Sequence, residues 1–397
     1  MLKIKLITIY KYLLLGIIAL TFLFSGFIQY FIGVSSTLYT LGLTAYAGLL
    51  IVFDILLRRK VIVNRFIFVY LFLIIIITVS AVINKSGLLK LLLYLNFALI
   101  PLFTSYLMKL NNVLKVDLKK TLSNVFLTTA LIQLPIILIQ KYGYNFLIGL
   151  SRANQKIASV DFMFGSFAVK ADHALGFFLI MYMLSLIFKK RSGENPKWFY
   201  FLIAYISITI LIMESNLTKL VLFGVISFYF YLWSYKKIGV LGIVVLFLMA
   251  VLGFNLMIKS SFIGNEIYQI LNRFSPEDSY KAVTRGYEKR PQVVVYQLNY
   301  EPFKWIGNGP YDYYDIIKGE FKKTIHFSQI IWFYNDIGII GLLVALMAAL
   351  LIVKSLNLRR ESMMVLLMIM LLYLFMSNLF GDISMMLSLM LLSNKEG

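Results

Sequence analysis

Cysteine is absent from this 397-residue sequence, histidine occurs only twice, and charged residues make up 14% of the chain. Without cysteine, neither disulfides nor thiolate metal sites can form. No other metal-ligand spacing is seen, so we expect a protein that works without a metal ion or another cofactor. The scarcity of charge is far from the balance of a soluble domain, which argues against a soluble enzyme or binding module.

Hydrophobic residues account for 60% of the sequence. Apolar runs long enough to cross roughly 30 Å of hydrocarbon recur along its whole length. They lie near residues 12–33, 36–57, 66–83, 88–108, 121–140, 171–188, 198–213, 217–234, 238–258, 326–353, 362–378 and 382–393. The pattern predicts an all-α integral membrane protein, a polytopic bundle of about 12 transmembrane helices that forms a single membrane domain over residues 1–397.

The basic residues explain the formal net charge of +20. In a soluble protein such a charge would suggest nucleic acid as a partner. Here the lysines and arginines cluster in every second connection between apolar runs, at Arg58, Arg59, Lys60 and Arg65; Lys109, Lys115, Lys119 and Lys120; Lys189, Lys190, Arg191 and Lys197; Lys236 and Lys237; and Lys354, Arg359 and Arg360. This positive-inside pattern predicts that both termini and these clusters are cytoplasmic, and we expect no nucleic-acid partner.

Two long loops then fall on the extracytoplasmic side, residues 141–170 and 259–325. The longer loop mixes arginine and lysine with tyrosine and tryptophan. Guanidinium groups bind phosphate through paired hydrogen bonds, and aromatic rings provide flat surfaces for sugars. The mixture therefore suits an anionic head group whose lipid tail stays in the membrane, although aromatic belts and cations that merely anchor a protein at the interface have the same composition.

The two histidines, His173 and His326, stand at the ends of these two loops. Neutral imidazole is the side chain best suited to accept or relay a proton at neutral pH. A histidine at a helix start is also a common interfacial residue, so both interpretations remain open at this point.

Three segments carry a resemblance to a known family. They are FMFGSFAVKADHALGFFL (162–179), MESNLTKLVLFGV (213–225), and a region that runs from TRGYEKRPQ through FKWIGNGPYDYY to HFSQIIWFYNDIGIIGLL. The last contains an arginine, a Gly-x-Gly after an xPF turn, and a histidine at the start of a predicted helix. In order and membrane side, these segments resemble the O-antigen polymerase and ligase superfamily, often called Wzy and WaaL, and most of all its repeat-unit polymerases.

The resemblance implies a glycosyltransferase of the bacterial cytoplasmic (inner) membrane, with its active site on the periplasmic side. Such enzymes polymerise undecaprenyl-diphosphate-linked oligosaccharides into O-antigen or capsular polysaccharide, and the lipid diphosphate is the leaving group. The same lipid-linked oligosaccharide is donor and acceptor, and membrane lipid, a chain-length regulator and a flippase are expected partners. Positioned cations stabilise the charge that develops on the departing diphosphate.

Residue by residue, the resemblance places Arg285 first as the catalytic cation, with Arg290 and Lys219 as further diphosphate-binding residues. Lys219 stands where many relatives have arginine, so recognition through paired hydrogen bonds is in doubt there. His326 would orient or deprotonate the acceptor hydroxyl, or bind a phosphate oxygen if protonated. Candidate substrate-binding residues are Arg152, Lys170, His173, Tyr287, Trp305 and Tyr311. Gly307 and Gly309 are expected to form turns, and Gly338 and Gly341 to allow close helix packing.

Other classes compete with the polymerase. A ligase that transfers the glycan to lipid A core or protein is the main alternative, because sequence separates the two activities poorly. A lipid-linked oligosaccharide flippase would also have about 12 spans, but it should show polar residues in mid-span and related halves. A lipid-phosphate glycosyltransferase with an acidic first outer loop is less compatible, because that loop, GVSST, contains no acid.

Overall fold

The computed structural model describes residues 2–59, 61, 65–113, 116–153, 157, 159–232, 274–286, 289–315, 320–322, 324 and 326–392. Over these residues the chain is mostly α-helical, and seven helices are long and apolar enough to cross a membrane. The protein is therefore α-helical and membrane-embedded, as its composition predicts. The predicted span 238–258 and the candidate Tyr287 lie outside the described residues.

The long helices begin and end close to the predicted apolar runs. They are α1 (Leu2–Ala19), which continues through π-helical turns to Ile32, α2 (Ser36–Arg58), α3 (Arg65–Ile83), α4 (Leu88–Val113), α5 (Val116–Tyr142), α7 (Asp172–Arg191) and α12 (Gln329–Ser355). Shorter helices are α6 (Tyr144–Ile148), α8 (Phe199–Ile212), α9 (Asn216–Leu232), α10 (Pro276–Arg285), α11 (Arg290–Tyr300), α13 (Arg360–Met376) and α14 (Ile383–Ser388).

The long loop 259–325 is more structured than its polar composition indicates. Its described part contains α10, α11 and the antiparallel strands β1 (Tyr314–Asp315) and β2 (Glu320–Phe321), with Tyr314 opposite Phe321. Ser275 accepts a hydrogen bond from the backbone N–H of Asp278 and Pro276 occupies the first turn, so α10 has a typical helix start.

The last predicted span, 382–393, contains the short buried helix α14. The six residues of α14 and the four of the following 3-10 turn, Leu389–Leu392, extend roughly 15–20 Å, which is less than the thickness of the hydrocarbon core. Every residue from Ile383 to Leu392 is buried, and α14 packs among α2, α4 and α7. A helix that is apolar on all sides belongs in the interior of a bundle.

Helix α12 is interrupted at Gly338, whose φ of 70° and ψ of −173° are not helical. The preceding loop docks into this break through four backbone hydrogen bonds, from Asn308 to Asn335, Gly309 to Asp336, Ile339 to Lys304 and Ile340 to Trp305. Gly307 and Gly309 have φ of +81° and +98°, which confirms that they form turns. Close packing between helices was the role predicted for Gly338. Instead, the glycine interrupts its own helix, and the preceding loop binds at the interruption. Gly341 faces Ile337 of the same helix.

The bundle has two distinct ends. At one end, the turn after α3 contacts the docked loop, since Asn84 donates from Nδ2 to the carbonyl oxygen of Gly307 at 3.2 Å. At the other end, Arg191, the last residue of α7, forms an ion pair of 2.6 Å with Glu361 at the start of α13. We call the first the loop end and the second the basic end, because Lys189, Lys190 and Arg191 end α7 there.

Candidate functional site

One part of the site is a buried stretch of irregular backbone, residues 162–167. Three glutamines from neighbouring helices satisfy its polar groups. Gln140 both donates to and accepts from the backbone of Gly165, at 2.9 and 2.8 Å, and Gln133 accepts from the backbone N–H of Ser166 at 3.0 Å. Gln29 accepts from the N–H of Val169 at 3.0 Å. Such backbone is tolerated at membrane depth only when protein groups pair it or when it lines a cavity.

The π-helical turns of α1 adapt that helix to the same stretch. Ser166 donates from its hydroxyl to the carbonyl oxygen of Phe22 at 2.5 Å, and Gly26 donates its N–H to the carbonyl oxygen of Ser166 at 3.0 Å. A Cβ at Gly26 would lie 2.4 Å from the carbonyl oxygen of Phe167, so the close approach requires glycine. Single π-helical turns occur often at functional sites, because they free a carbonyl oxygen.

Beside this stretch, a cavity of about 340 Å³ is lined by hydroxyl and amide side chains together with apolar residues. It contains few charged groups, and residues 168–171 form part of its wall. The polar lining is Thr21, Ser25, Gln29, Ser36, Tyr39, Thr40, Lys170, His173, Ser377, Asn378, Asp382 and Ser384. We call it the polar cavity. Many neutral donors and acceptors around one space are the chemistry that binds the hydroxyl groups of a glycan.

A second cavity, of about 390 Å³, adjoins the first and shares Phe97 and Asn378 with it. Six aromatic residues line this aromatic cavity: Phe97, Tyr311, Tyr314, Phe321, Phe327 and Trp332. The Trp332 ring contacts two of the others, with its centroid 5.7 Å from that of Tyr311 and 5.4 Å from that of Phe327. A polar space next to an aromatic one can bind the edges and the faces of sugar rings at the same time.

The carboxylate of Asp336 holds the loop that contains Tyr311 and Tyr313. It accepts two backbone hydrogen bonds of 2.9 Å, from the N–H groups of Tyr311 and Tyr313. The side chain lies fully buried in α12, two residues before the break at Gly338. An intramembrane carboxylate is costly unless it is paired in this way, so Asp336 fixes the Tyr311 loop in the bundle.

Three of the predicted substrate-binding residues, Lys170, His173 and Tyr311, line the two cavities. Lys170 is exposed with a φ of 63°, and His173 lies in the first turn of α7. The His173 Nδ1 is 2.8 Å from the Ser215 hydroxyl oxygen and 3.5 Å from the Asp172 carboxylate. The remaining ring nitrogen, Nε2, is the atom that His173 can offer to a ligand.

Arg290 links the residues that precede α12 to the end of α13. Its Nε donates to the carbonyl oxygen of Phe327 at 2.6 Å, and its Nη2 donates to that of Met376 at 2.9 Å. Burial lowers the pKa of this guanidinium from its ordinary value, and the nearby Tyr313 opposes that effect. Through these donors Arg290 joins the residue before the N-cap of α12 to the end of α13, and its predicted role as a diphosphate ligand stays a prediction.

His326 lies two residues before Ser328, the N-cap of α12, and therefore outside the helix that it was expected to open. Its backbone N–H donates to the Thr324 hydroxyl at 3.1 Å. Partial burial, and then the positive charges of Arg290 and Lys289, lower the pKa of the imidazole. A lowered pKa favours the neutral ring at neutral pH, which is the form that accepts a proton.

His326 and Arg290 line neither cavity, and the other predicted residues that the structure describes also lie outside them. Arg285 ends α10 and is exposed, Lys219 is half-buried in α9, and Trp305 is 64% exposed beside the break of α12. Arg152 is exposed, and its backbone N–H donates to the carbonyl oxygen of Tyr30. These residues and the cavities are not brought together by the described part of the chain.

Five residues that bind buried backbone groups were not predicted from the sequence. Gln29, Gln133 and Gln140 satisfy the buried backbone, while Asp336 and Asp382 anchor a loop and a helix start. Asp382 Oδ1 accepts from the backbone N–H groups of Ser384 at 2.8 Å and Met385 at 3.2 Å. All five are polar residues in or beside apolar runs, and that position was the available signal.

Comparison of the chain with models of known protein families, with curated proteins and with solved structures gave no match.

Proposed function

We propose that the protein is a polysaccharide polymerase that joins undecaprenyl-diphosphate-linked oligosaccharide repeat units, as the resemblance to the Wzy-type enzymes implies. The observation that carries the proposal is the pair of adjoining cavities, one lined by hydroxyl and amide groups and one by six aromatic rings. The lining favours glycan over ions or a purely apolar ligand, since it holds many neutral hydrogen-bonding groups and few charges.

The placement of the cavities fits a lipid-linked substrate. Both lie at the loop end of the bundle, near the starts of α2, α7 and α12 and the end of α13. A glycan could enter there while its polyprenyl tail remains among lipid. On the positive-inside pattern this end faces the periplasm, about 12 spans cross the bacterial inner membrane, and both termini are cytoplasmic.

The reaction needs positioned donors and cations and a base for the acceptor hydroxyl proton. The acceptor hydroxyl oxygen forms a bond to the anomeric carbon, the bond from that carbon to the lipid diphosphate breaks, and the hydroxyl proton passes to a base. His326 suits the base, because its pKa is lowered towards the neutral form. Lys170, which lines the polar cavity, is the proposed partner of the departing diphosphate, whose charge grows in the transition state. Arg285 lies outside the cavities, and its role at the diphosphate rests on the resemblance alone.

The decisive experiment is to incubate the purified protein with undecaprenyl-diphosphate repeat units as the sole substrate. A ladder of chain lengths is expected. Product that forms only when a lipid A core or protein acceptor is added would identify a ligase instead. Movement of the intact lipid-linked unit across vesicles, with no new glycosidic bond, would identify a flippase.

A matched pair of lysines tests whether the polar cavity is the site. Lys170 lines that cavity, whereas Lys189 lines a separate cavity of about 260 Å³ at the basic end. Both substitutions, Lys170→Gln and Lys189→Gln, remove one positive charge and retain a polar side chain. Polymer formation should fall for Lys170→Gln alone. Equal losses in the two variants would count against the polar cavity.

A further inference from the structure

A chain of hydrogen bonds runs inward from His173. Its Nδ1 is 2.8 Å from the Ser215 hydroxyl, which is 2.9 Å from the Thr218 hydroxyl, which in turn is 3.0 Å from the Tyr373 phenol. Thr218 and Tyr373 are completely buried and Ser215 nearly so. The chain thus links a ring in the wall of the polar cavity to a phenol on α13 inside the bundle.

The protons along this chain can be assigned by counting. Three hydroxyl groups supply three protons for three bonds, and a buried hydroxyl that donates to nothing is unfavourable. Among the residues that the structure describes, Thr218 is the hydrogen-bond partner of the Tyr373 hydroxyl. The phenol must therefore donate to Thr218, which leaves Thr218 to donate to Ser215, and Ser215 to donate to Nδ1 of His173.

This direction decides the tautomer of the imidazole. In the neutral ring one nitrogen carries the proton and the other accepts. Since Nδ1 accepts from Ser215, the proton is on Nε2, the nitrogen that is left for the polar cavity. A ring in this state donates a hydrogen bond and cannot act as a base through Nε2.

We propose that Tyr373, Thr218 and Ser215 hold His173 in the tautomer protonated at Nε2, and that this N–H donates to an oxygen of the bound glycan. The three hydroxyl residues are then positioning residues, and His173 is a substrate-binding donor rather than the base. The glycan contact rests on the proposed function, whereas the tautomer rests on the hydrogen-bond chain alone.

Asp172 is the competing group. Its carboxylate is 3.5 Å from Nδ1, and a carboxylate beside this nitrogen would favour a proton on it. Ser215 is closer, at 2.8 Å, and is the hydrogen-bond partner of Nδ1. The two arrangements place the proton on different nitrogens, so they can be distinguished directly.

The direct test is nitrogen NMR of the full chain labelled with ¹⁵N-histidine. With only two histidines, His173→Gln and His326→Gln suffice to assign the signals. At a pH where the ring is neutral, His173 should show a protonated Nε2 and an unprotonated Nδ1. A neutral ring protonated at Nδ1 would overturn the proposal. Addition of the lipid-diphosphate repeat unit should shift Nε2 more than Nδ1, and no shift would overturn the glycan contact.

The positioning role is tested by removing the hydroxyl that donates to the ring. Ser215→Ala should move the proton of the neutral ring to Nδ1, because the Asp172 carboxylate, 3.5 Å from that nitrogen, then has no competing hydroxyl donor. Ser185→Ala is the matched control: Ser185 is also buried, and its hydroxyl donates to the carbonyl oxygen of Tyr182 in the same helix. A Ser215→Ala protein with an unchanged tautomer would contradict the role of the hydroxyl chain.

A pair of substitutions separates a donor from a base. The glutamine side-chain NH₂ lies near the position of Nε2, so His173→Gln retains a donor there, whereas the shorter His173→Asn does not. Polymer formation by His173→Gln should remain within roughly two- to tenfold of the unaltered protein, and His173→Asn should lose more. Equal, complete loss in both would indicate a base. If the unaltered protein forms no polymer, the proposed function fails while the NMR result still decides the tautomer.

Discussion

Arg290 and Arg285 belong to the same loop but have different surroundings. Arg290 donates to two carbonyl oxygens that join the approach to α12 to the end of α13, whereas Arg285 is exposed at the end of α10. Hydrogen bonds from a charged group contribute about 1.5–3 kcal/mol each. We predict that Arg290→Ala lowers the free energy of unfolding by about 2–4 kcal/mol, measured by thermal melting in detergent.

Arg285→Ala is the control for that substitution and a prediction in its own right. The melting temperature should be unchanged, because an exposed side chain contributes little to stability. Polymer formation should nevertheless be lost if Arg285 neutralises the departing diphosphate. A normal ladder of chain lengths from a stably inserted Arg285→Ala protein would remove Arg285 from the site.

At the residue scale, the sequence predicted which chemistry was present but not which contacts it would make. Lys170, His173 and Tyr311 were named in advance and do line the cavities. The contacts of Arg290 could not be predicted, because its partners are carbonyl oxygens near residues that are distant in sequence. Every residue type has a backbone carbonyl oxygen, so the sequence does not show which of these oxygens will accept a hydrogen bond. The fold does.

The break in α12 sets a prediction at the scale of a single element. Gly338 occupies a region of φ and ψ that is open essentially to glycine, and a Cβ there would lie 2.3 Å from the carbonyl oxygen of Trp305. Gly338→Ala should therefore expel the docked loop, lower the melting temperature and expose the 304–309 segment to protease. Strain of this kind costs on the order of 1–3 kcal/mol before the clash is added.

Gly42→Ala provides the matched control. Gly42 lies within α2, and a Cβ at that position would meet nothing within 4 Å. Alanine is the better helix former by about 0.5–1 kcal/mol, so this variant should be neutral or slightly stabilised. Similar melting temperatures for the two variants would show that the break in α12 does not need glycine.

At the element scale, the apolar runs predicted where most helices lie but not their interruptions or depth. The runs near 66–83 and 88–108 match α3 and α4 closely. For the run at 382–393, hydropathy could not show that the helix is buried on all sides, because it does not distinguish a lipid-facing helix from a buried one. The break at Gly338 depends on the φ and ψ of one glycine, and the apolar sequence around that glycine gives no sign of them.

For the whole molecule, charge and polarity are divided between the two ends. Hydroxyl, amide and aromatic groups surround the cavities at the loop end, while Lys189, Lys190 and Arg191 end α7 at the basic end. The 20 residues of α7, Asp172–Arg191, run from the loop end to the basic end. At 1.5 Å per residue this helix is roughly 30 Å long, which equals the thickness of the hydrocarbon core.

This division predicts which end faces outward, and the absence of cysteine makes the orientation easy to measure. Lys281, exposed on α10, belongs to the loop end, and Glu194, exposed after α7, belongs to the basic end. In intact cells a membrane-impermeant maleimide should label Lys281→Cys, and it should reach Glu194→Cys only after permeabilisation. The unaltered, cysteine-free chain provides the background. The reverse labelling would place the cavities in the cytoplasm, where a periplasmic polymerase could not work, and labelling of both from one side would contradict α7 as a span.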